Sequence, residues 1–233
     1  QNPDREIVFV GVGFETTTPL VAMAIKRAAA AGLKNFSVFG AHKNMPGALE
    51  AIINDPQLKV DALILPGHVS TIIGAEPYRF LAEKYGIPGV ITGFEPVDVL
   101  QGIAMIMRQL HEGRAEIEIA YARGVMPEGN PVALAAIDEV FETCTALWRG
   151  LGEIPGSGYR IREEFAQFDA VRRFQPDVEP TQDPKGCRCG DVLRGIMAPS
   201  ECPLFRRICT PENPVGPCMV SSEGSCAAYY RYY

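Results

Sequence analysis

Short apolar segments alternate with segments of helical character through the first 150 residues of the chain. A run of β-branched and other apolar residues, bounded by turn residues, is typical of a strand covered on both faces. Five segments fit that description: residues 6–12, Phe36–Phe39, Val60–Leu65, Gly89–Thr92 and Ile117–Tyr121. The first of them is followed by an Ala-rich segment that begins at Pro19, a residue suited to a first helical position, and stops at Gly32.

The remaining helices are predicted from boundary residues and hydrophobic spacing. They cover Pro46–Ile53, residues 74–85, Pro96–Leu110 and Pro131–Trp148. Pro96–Leu110 is the clearest amphipathic helix, because its apolar residues from Val97 to Leu110 recur at helical spacing. Five strands that alternate with helices through short links predict an α/β fold with a doubly wound, mostly parallel sheet.

Three regions are predicted from the change in composition along the chain. Residues 1–150 form the α/β domain, residues 151–178 a connector whose second half is helical, and residues 179–233 a small, irregular Cys-rich module. Pro, Asp, Gln and Thr dominate from Pro176 to Pro184, which is typical of a linker. Because the chain begins with Gln1 and not with Met, we expect it to be a truncated form of a longer protein.

Composition and charge exclude some classes of function. Apolar residues make up 47% of the 233 residues, which is enough for a hydrophobic core. The formal net charge of -6 argues against a nucleic-acid partner, because phosphate binding needs a basic face. No apolar run approaches the roughly 18 residues that cross a bilayer, so no membrane association is expected.

Polar residues follow four of the predicted strands, at the edge where open parallel sheets bind ligands. They are Glu15, Thr16, Thr17 and Thr18 after the first strand, His42 after the second, His68 and Ser70 after the third, and Glu95 after the fourth. Each has an ordinary structural alternative, and the hydroxyl residues are also the preferred helix N-caps. Because four consecutive strand ends carry such groups, we expect a functional cleft at this edge.

A dinucleotide site is a further possibility at the first strand end. Gly11 and Gly13 have the spacing of the first two glycines of the dinucleotide-binding fingerprint. Thr16 stands at the position of the third glycine, and no acidic residue ends the second strand to bind a ribose. The sequence therefore argues against a nucleotide site.

Cysteines are concentrated near the C-terminus, where six of the seven fall within 40 residues: Cys187, Cys189, Cys202, Cys209, Cys218 and Cys226. Disulfides, a structural zinc ion or an iron–sulfur cluster would each explain such a concentration. Disulfides are the weaker explanation, because the total is odd and no secretory signature is present. Only Cys187 and Cys189 form a close pair, and the common ferredoxin spacings do not match, so zinc and a cluster both stay open.

Four stretches carry a resemblance to a known family. They are Gly13–Pro19, Gly67–Gly74, Gly93–Asp98 and the cysteine-bearing tail Cys189–Cys226. They resemble the HypD family of NiFe-hydrogenase maturation proteins, and the likeness covers essentially the whole chain. One difference is that HypD proteins have an earlier α/β domain, and Gln1 begins where the second domain of the family would begin.

The resemblance implies a set of cofactor ligands. In the HypD family four cysteines spaced C-x12-C-x6-C-x16-C bind a 4Fe-4S cluster. Cys189, Cys202, Cys209 and Cys226 satisfy that spacing. The same comparison leaves Cys144, Cys187 and Cys218 as non-ligands. Glu223 lies three residues before the last ligand, and we expect it to be a hydrogen-bond or proton partner near the cluster.

The resemblance also implies a role. It is that of a cytoplasmic, accessory redox scaffold in assembly of an iron centre with cyanide and carbon monoxide ligands, acting with a HypC-like chaperone and a HypE-like cyanide donor. The residues expected at the iron are His68, Glu15, Thr16, Thr17, Ser70 and Glu95, with His68 as the contact to iron or its ligands. Because the iron-binding cysteine and the redox thiols of the family lie in the earlier domain, we expect this chain alone to bind a cluster yet fail in maturation.

Two other classes of function remain. One is a stand-alone iron–sulfur electron-transfer module whose α/β domain binds a small anion. The other is a zinc-stabilised interaction domain without a redox role. Iron content and colour after anaerobic reconstitution separate a cluster protein from a zinc protein.

Overall fold

The computed structural model describes residues 2–177 and 184–233. The strands in that part of the chain are β1 Ile7–Gly13, β2 Phe36–His42, β3 Leu63–Pro66, β4 Gly89–Thr92, β5 Ile117–Ile119, β6 Phe141–Trp148 and β7 Gly152–Ile161. The α-helices are α1 Thr18–Ala30, α2 Met45–Ile53, α3 Gly67–Ile73, α4 Arg79–Tyr85, α5 Pro96–Glu112, α6 Pro131–Val140, α7 Ala170–Phe174, α8 Cys189–Leu193, α9 Pro217–Val220 and α10 Ser225–Tyr232. Short 3₁₀ turns lie at Glu76–Tyr78, Glu163–Phe168 and Pro199–Glu201.

The described chain divides into two compact units. The first contains residues 2–50, 61–146 and 155–177, and the second contains residues 51–60, 147–154 and 184–233. The core of the first unit packs α1 and α6 over strand residues, and its buried side chains include Ile25, Val38, Val140, Phe141 and Phe168. The three-region scheme drawn from the sequence stays a prediction.

The mixed α/β class with parallel sheets is confirmed. Strand β1 pairs in parallel with β2, from Ile7 opposite Phe36 to Gly13 opposite His42. Strands β3, β4 and β5 form a second parallel sheet in that order. The five predicted strands therefore all exist, and their carboxyl ends point the same way within each sheet.

The five predicted strands fall into two hydrogen-bonded sheets among the described residues, not into the single sheet expected, and β6 and β7 form a third. The order β3-β4-β5 follows the chain and contains no reversal of strand order, which a doubly wound sheet requires. Among the strands that the structure describes, β1 pairs only with β2, and the side chain of Val12 on β1 is 65% exposed. The apolar run therefore correctly predicts a strand, but its two faces are not both covered.

The long closing helix predicted over residues 131–148 is wrong in its second half. Helix α6 begins after Asn130, whose side-chain oxygen accepts hydrogen bonds from Val132 N and Ala133 N at 3.0 Å. It ends at Val140, and the following eight residues form strand β6. In that strand the exposed side chains are every second one, a period-2 alternation that places Cys144 in a strand and not in a helix.

The region after residue 150 contains a strand before its helical part. A three-residue link joins β6 to β7, and so short a link permits only antiparallel pairing. Helix α7 then starts at Asp169, whose carboxylate accepts from Val171 N at 2.9 Å. The predicted linker at 176–184 lies largely outside the described residues.

The buried face of helix α5 is not the face that carries its regularly spaced apolar residues. Its inward face carries Asp98, Gly102 and Ile106, and a Cβ on Gly102 would lie 2.2 Å from the Thr92 side chain of β4. The regularly spaced apolar residues face outward, with Val97 at 73% exposure. Across the described residues, no helix combines the length and apolar content needed to span a membrane.

Candidate functional site

The strand ends of β3, β4 and β5 bring three aromatic side chains together. His68 is exposed at the second residue of α3, directly after β3. Its ring meets the ring of Phe94, which follows β4, edge to face with 4.8 Å between centroids. Tyr121, which follows β5, lies with its ring centroid 6.3 Å from that of His68. Parallel strand ends thus converge at one place, as the topology requires.

An arginine ties this group to the start of helix α5. The Arg123 guanidinium donates two hydrogen bonds of 2.7 Å to the two carboxylate oxygens of Asp98, and it lies 3.2 Å from a carboxylate oxygen of Glu95. The same guanidinium lies 4.5 Å from the centroid of the Tyr121 ring. Hydrogen bonds from Arg123 are the main cause that lowers the pKa of Asp98, which therefore stays ionised. We call His68, Phe94, Glu95, Tyr121 and Arg123 the strand-end site.

The sequence prediction places two of these residues correctly at a strand end, His68 and Glu95. It missed Tyr121 and Arg123, although the fifth predicted strand also runs into polar and aromatic residues. That signal was available, because the same edge argument applies to every strand of a parallel sheet. The pairing of Arg123 with Asp98, 25 residues earlier in the chain, was not readable from the sequence.

The other predicted site residues make structural contacts. The hydroxyls of Thr17 and Thr18 both donate to the Phe14 carbonyl, at 3.2 and 2.9 Å, and hold the turn after β1. The buried Ser70 hydroxyl donates to the Pro66 carbonyl at 2.8 Å. Thr16 is exposed. A role for these residues in catalysis stays a prediction, since their described contacts serve the local backbone.

Glu15 is buried, not exposed at the edge of the sheet. Its side chain is 1% exposed, and one carboxylate oxygen accepts from Met45 N at 2.9 Å at the start of α2. The other oxygen is buried without a hydrogen-bond partner among the described residues, and so is the hydroxyl of Tyr78. Burial raises the pKa of Glu15, although two backbone hydrogen bonds oppose that shift.

His42 is also an interior residue. Both of its ring nitrogens are buried and unpartnered among the described residues, and burial lowers its pKa. Its ring lies 6.1 Å from that of Phe141, and a Cβ on Gly11 would come within 2.7 Å of the imidazole. The histidine is therefore held in its neutral form by the first unit and does not contribute to the strand-end site.

Glu15→Gln is expected to remove a pH dependence from the stability of the chain. Because burial raises the folded-state pKa above its ordinary value of 4.5, the folded chain binds this proton more tightly than the unfolded chain. That contribution is complete below the ordinary pKa and is lost as the pH rises through the folded pKa. Glutamine is neutral throughout, so the variant should gain stability over the parent as the pH rises. Urea unfolding between about pH 4 and 8 measures the difference.

A second variant and the titration of His42 are the controls for this experiment. Compared with Glu15→Gln, which is also neutral, Glu15→Ala loses the acceptor for Met45 N and should cost about 1–3 kcal/mol at every pH. The titration of His42 is common to parent and variants, so it cancels in the comparison. Stability curves of Glu15→Gln and parent that run parallel over the whole pH range would show that Glu15 titrates alike in the folded and unfolded chain.

The cysteine-rich part of the second unit encloses one cavity. Its lining includes all six C-terminal cysteines: Cys187, Cys189, Cys202, Cys209, Cys218 and Cys226. Apolar side chains of Leu204, Phe205 and Met219 complete the wall. Sulfur donors in an apolar setting match the chemistry of an iron–sulfur cluster or a thiolate zinc site.

Two of these cysteines are bonded to each other. Cys189 and Cys218 form a disulfide, whereas Cys202, Cys209 and Cys226 are thiols. Burial, and then the neighbouring thiols, raise the pKa of Cys226 to about 11. As they stand, the described His, Cys, Asp and Glu side chains include no group of three placed to hold a metal ion. The predicted ligand Cys189 is available to a metal only after its disulfide is reduced.

Close backbone approach shapes the cavity. A Cβ on Gly216 would lie 2.4 Å from the sulfur of Cys187, and one on Gly224 would lie 2.2 Å from the Cys218 carbonyl oxygen. Val215 N donates to the sulfur of Cys209 at 3.4 Å. Glu223, predicted as a proton partner near the cluster, is exposed on the surface. Neither Gly216 nor Gly224 could therefore carry a side chain without displacing a cysteine residue.

Comparison with known proteins gives a consistent match. The family described as "HypD: Hydrogenase formation hypA family" matches residues 1–233. The chain is 48% identical to the hydrogenase maturation factor HypD of Cupriavidus necator, covering 100% of this chain and 63% of that protein. It is 50% identical to HypD of Rhodobacter capsulatus and to the hydrogenase expression/formation protein HupD of Azotobacter chroococcum, covering 63% and 62% of their lengths. The chain thus spans less than two thirds of the length of these relatives.

Proposed function

The chain belongs to the HypD family, and on that premise we propose that it is part of an accessory redox scaffold for assembly of the iron centre of NiFe hydrogenase. The observation that carries the proposal is the convergence of six cysteines on one apolar cavity in the second unit. Such a cavity accommodates sulfur-ligated metal and limits its contact with water. Cluster binding is assigned to this cavity, and binding of the iron cargo is assigned to the strand-end site of the first unit.

The cavity is proposed to hold a 4Fe-4S cluster through Cys189, Cys202, Cys209 and Cys226. When bound, a cluster supplies one-electron reduction. The residues of the chain contribute the thiolates, the apolar wall and the hydrogen bond from Val215 N to the Cys209 sulfur. A hydrogen bond to a ligand sulfur is one of the means by which a protein sets the reduction potential of a cluster.

The strand-end site is proposed to receive the iron cargo with its cyanide and carbon monoxide ligands. The exposed imidazole of His68 is the group that contacts iron or hydrogen-bonds its ligands. Phe94 and Tyr121 form apolar walls beside it, while Arg123 and Asp98 neutralise each other. This arrangement orients a donor at the edge of a parallel sheet, the usual place for a ligand in such folds.

Partners and location follow from the same proposal. The full-length protein would act in the cytoplasm with a HypC-like chaperone and a HypE-like cyanide donor. Because the chain covers 63% of the Cupriavidus necator relative, maturation is proposed for the whole protein and not for these residues alone. The negative net charge of -6 supports a protein partner over nucleic acid.

A chimera tests the proposal. This chain replaces the matching part of the Cupriavidus necator relative in a cell that lacks its own HypD-family gene, and hydrogenase activity is measured. The proposal predicts that activity returns to within roughly tenfold of the level given by the unmodified relative, since each lost factor of ten corresponds to about 1.4 kcal/mol of impaired interaction. A chimera that accumulates and folds but restores no hydrogenase activity would contradict the proposal.

A further inference from the structure

We propose that Tyr121 is a positioning residue of the strand-end site, and that its ring, seated among three glycines and stacked with Arg123, fixes the place of His68. The inference deepens the proposed function and rests on it, because it concerns how the same imidazole is held. Tyr121 lies two residues beyond strand β5 and belongs to none of the stretches that carried the family resemblance.

Three glycines at three strand ends make room for the ring. A Cβ on Gly67 or Gly93 would lie 3.0 Å from a ring carbon of Tyr121, and a Cβ on Gly124 would lie 2.6 Å from one. None of the three glycines has a positive φ, so space and not backbone conformation accounts for glycine there. A Cβ would also meet the Thr92 carbonyl oxygen at Gly67, at 2.2 Å, and an Asp98 carboxylate oxygen at Gly93, at 2.1 Å, whereas at Gly124 the nearest atoms belong to Tyr121. The tyrosine therefore packs directly on the backbone that follows β3, β4 and β5.

Arg123 lies two residues after Tyr121 and stacks on its ring. The guanidinium lies 4.5 Å from the ring centroid and is fixed in turn by its paired 2.7 Å hydrogen bonds to Asp98. Asp98 is buried in the first turn of the 17-residue helix α5. A bidentate arginine–carboxylate pair is geometrically specific, so the ring is tied to the helix as well as to the three strand ends.

His68 depends on this support because its other described restraints are few. Among the residues that the structure describes, its ring nitrogens make no hydrogen bond, and its ring contacts are those with Phe94 and Tyr121. Helix α3, which carries it, has seven residues. Aromatic packing thus sets where the imidazole stands and leaves both nitrogens open to a ligand.

Histidine NMR of this chain provides the direct test. The sequence contains three histidines, so the His68 resonances are assigned by their loss in His68→Ala. Tyr121→Phe keeps the ring and should preserve the ring-shifted His68 resonances. Tyr121→Leu should move them to the position of an unrestrained histidine while His42 and His111 keep theirs. Tyr85→Leu is the matched control, because Tyr85 also pairs with a cation, Lys84, at 4.8 Å and should leave His68 unchanged.

A second variant keeps the test decisive if Tyr121→Leu unfolds the first unit. Gly124→Ala would press a methyl group on the tyrosine ring, and it should shift the His68 resonances in a folded chain. In the full-length chimera, Tyr121→Leu should lower hydrogenase maturation roughly a hundredfold, the scale expected for a misplaced catalytic group, and Tyr121→Phe should not.

The outcomes distinguish the positioning role of Tyr121 from the proposed function of the strand-end site. Unchanged His68 resonances in folded Tyr121→Leu and Gly124→Ala would overturn the positioning role. If His68→Ala abolishes maturation while Tyr121→Leu leaves it intact, the positioning role fails and the proposed function stands. If Tyr121→Leu displaces His68 while His68→Ala retains full maturation, the proposed function of the site fails and the structural role of Tyr121 stands.

Discussion

Cys202→Ala is expected to abolish cluster binding by the chain and to destabilise its second unit. The thiol of Cys202 lines the same cavity as those of Cys209 and Cys226, and the substitution removes one of the four proposed ligands of the cluster. Metal binding by a small module is coupled to its folding, so the loss of metal should also lower the thermal midpoint of that module. Iron and sulfide per chain after anaerobic reconstitution, followed by thermal unfolding, measure both effects. Cys209→Ala should behave in the same way.

Two other cysteines are controls for this prediction. Cys144→Ala changes a residue of strand β6 and should retain iron, because Cys144 does not line the cavity. Cys218→Ala removes the disulfide partner of Cys189 and should also retain the cluster, since it frees Cys189 as a ligand. Loss of iron from Cys218→Ala with retention by Cys202→Ala would show that the proposed ligand set is wrong.

His68→Ala in the full-length chimera is expected to retain the cluster but to lower hydrogenase maturation by roughly a hundredfold or more. The proposed cluster ligands are four cysteines, and His68 is not among them, so the variant should still bind the cluster. The reason for the large effect is that the exposed imidazole lies beside the aromatic walls of the strand-end site and can act as a donor to iron or its ligands.

Hydrogenase activity per amount of chimera measures this effect, with bound iron and sulfide measured on the same preparations. His111→Ala is the matched control, because His111 is exposed near the end of helix α5 and away from the strand ends. Equal maturation by His68→Ala and His111→Ala would remove His68 from the site.

The sequence predicted the strands well because the signal is local. Runs such as residues 6–12 and Gly89–Thr92 are short and apolar, and each forms a parallel strand. The number of sheets was not predictable in the same way, because pairing depends on contacts between distant segments. Strand β1 has the apolar content of a central strand, and yet β2 is its only partner strand in the described part of the chain.

Helix prediction failed where composition and tertiary structure disagree. Phe141, Cys144 and Trp148 continue the helical spacing of α6, but the chain turns into strand β6 after Val140. On helix α5 the apolar spacing correctly predicts a helix, whereas its buried face carries Asp98 and Gln109. Asp98 is buried because Arg123 pairs with it, and that partner is not adjacent in the sequence.

The candidate site was predictable in part. The strand-end argument found His68 and Glu95, since it needs only the order of strands and the polar residues after them. It also selected Glu15 and Ser70, whose side chains are buried and serve the backbone. Whether a polar residue at a strand end points to solvent or into the core is decided by packing, which the sequence pattern does not contain.

The cysteines illustrate a different limit. Their concentration in sequence predicted a shared purpose, and all six line one cavity. Spacing did not reveal which pairs approach each other, and the disulfide between Cys189 and Cys218 was not predicted. The identity of the metal and of its four ligands stays a prediction.

Anaerobic reconstitution of the reduced chain with iron and sulfide, read by Mössbauer spectroscopy and chemical analysis, tests the central claim most directly. The account predicts about four irons and four sulfides per chain, in the spectrum of a 4Fe-4S cluster, with a visible absorbance that dithionite bleaches. A colourless chain that takes up one zinc ion per molecule through the same thiols, and no iron or sulfide, would contradict it.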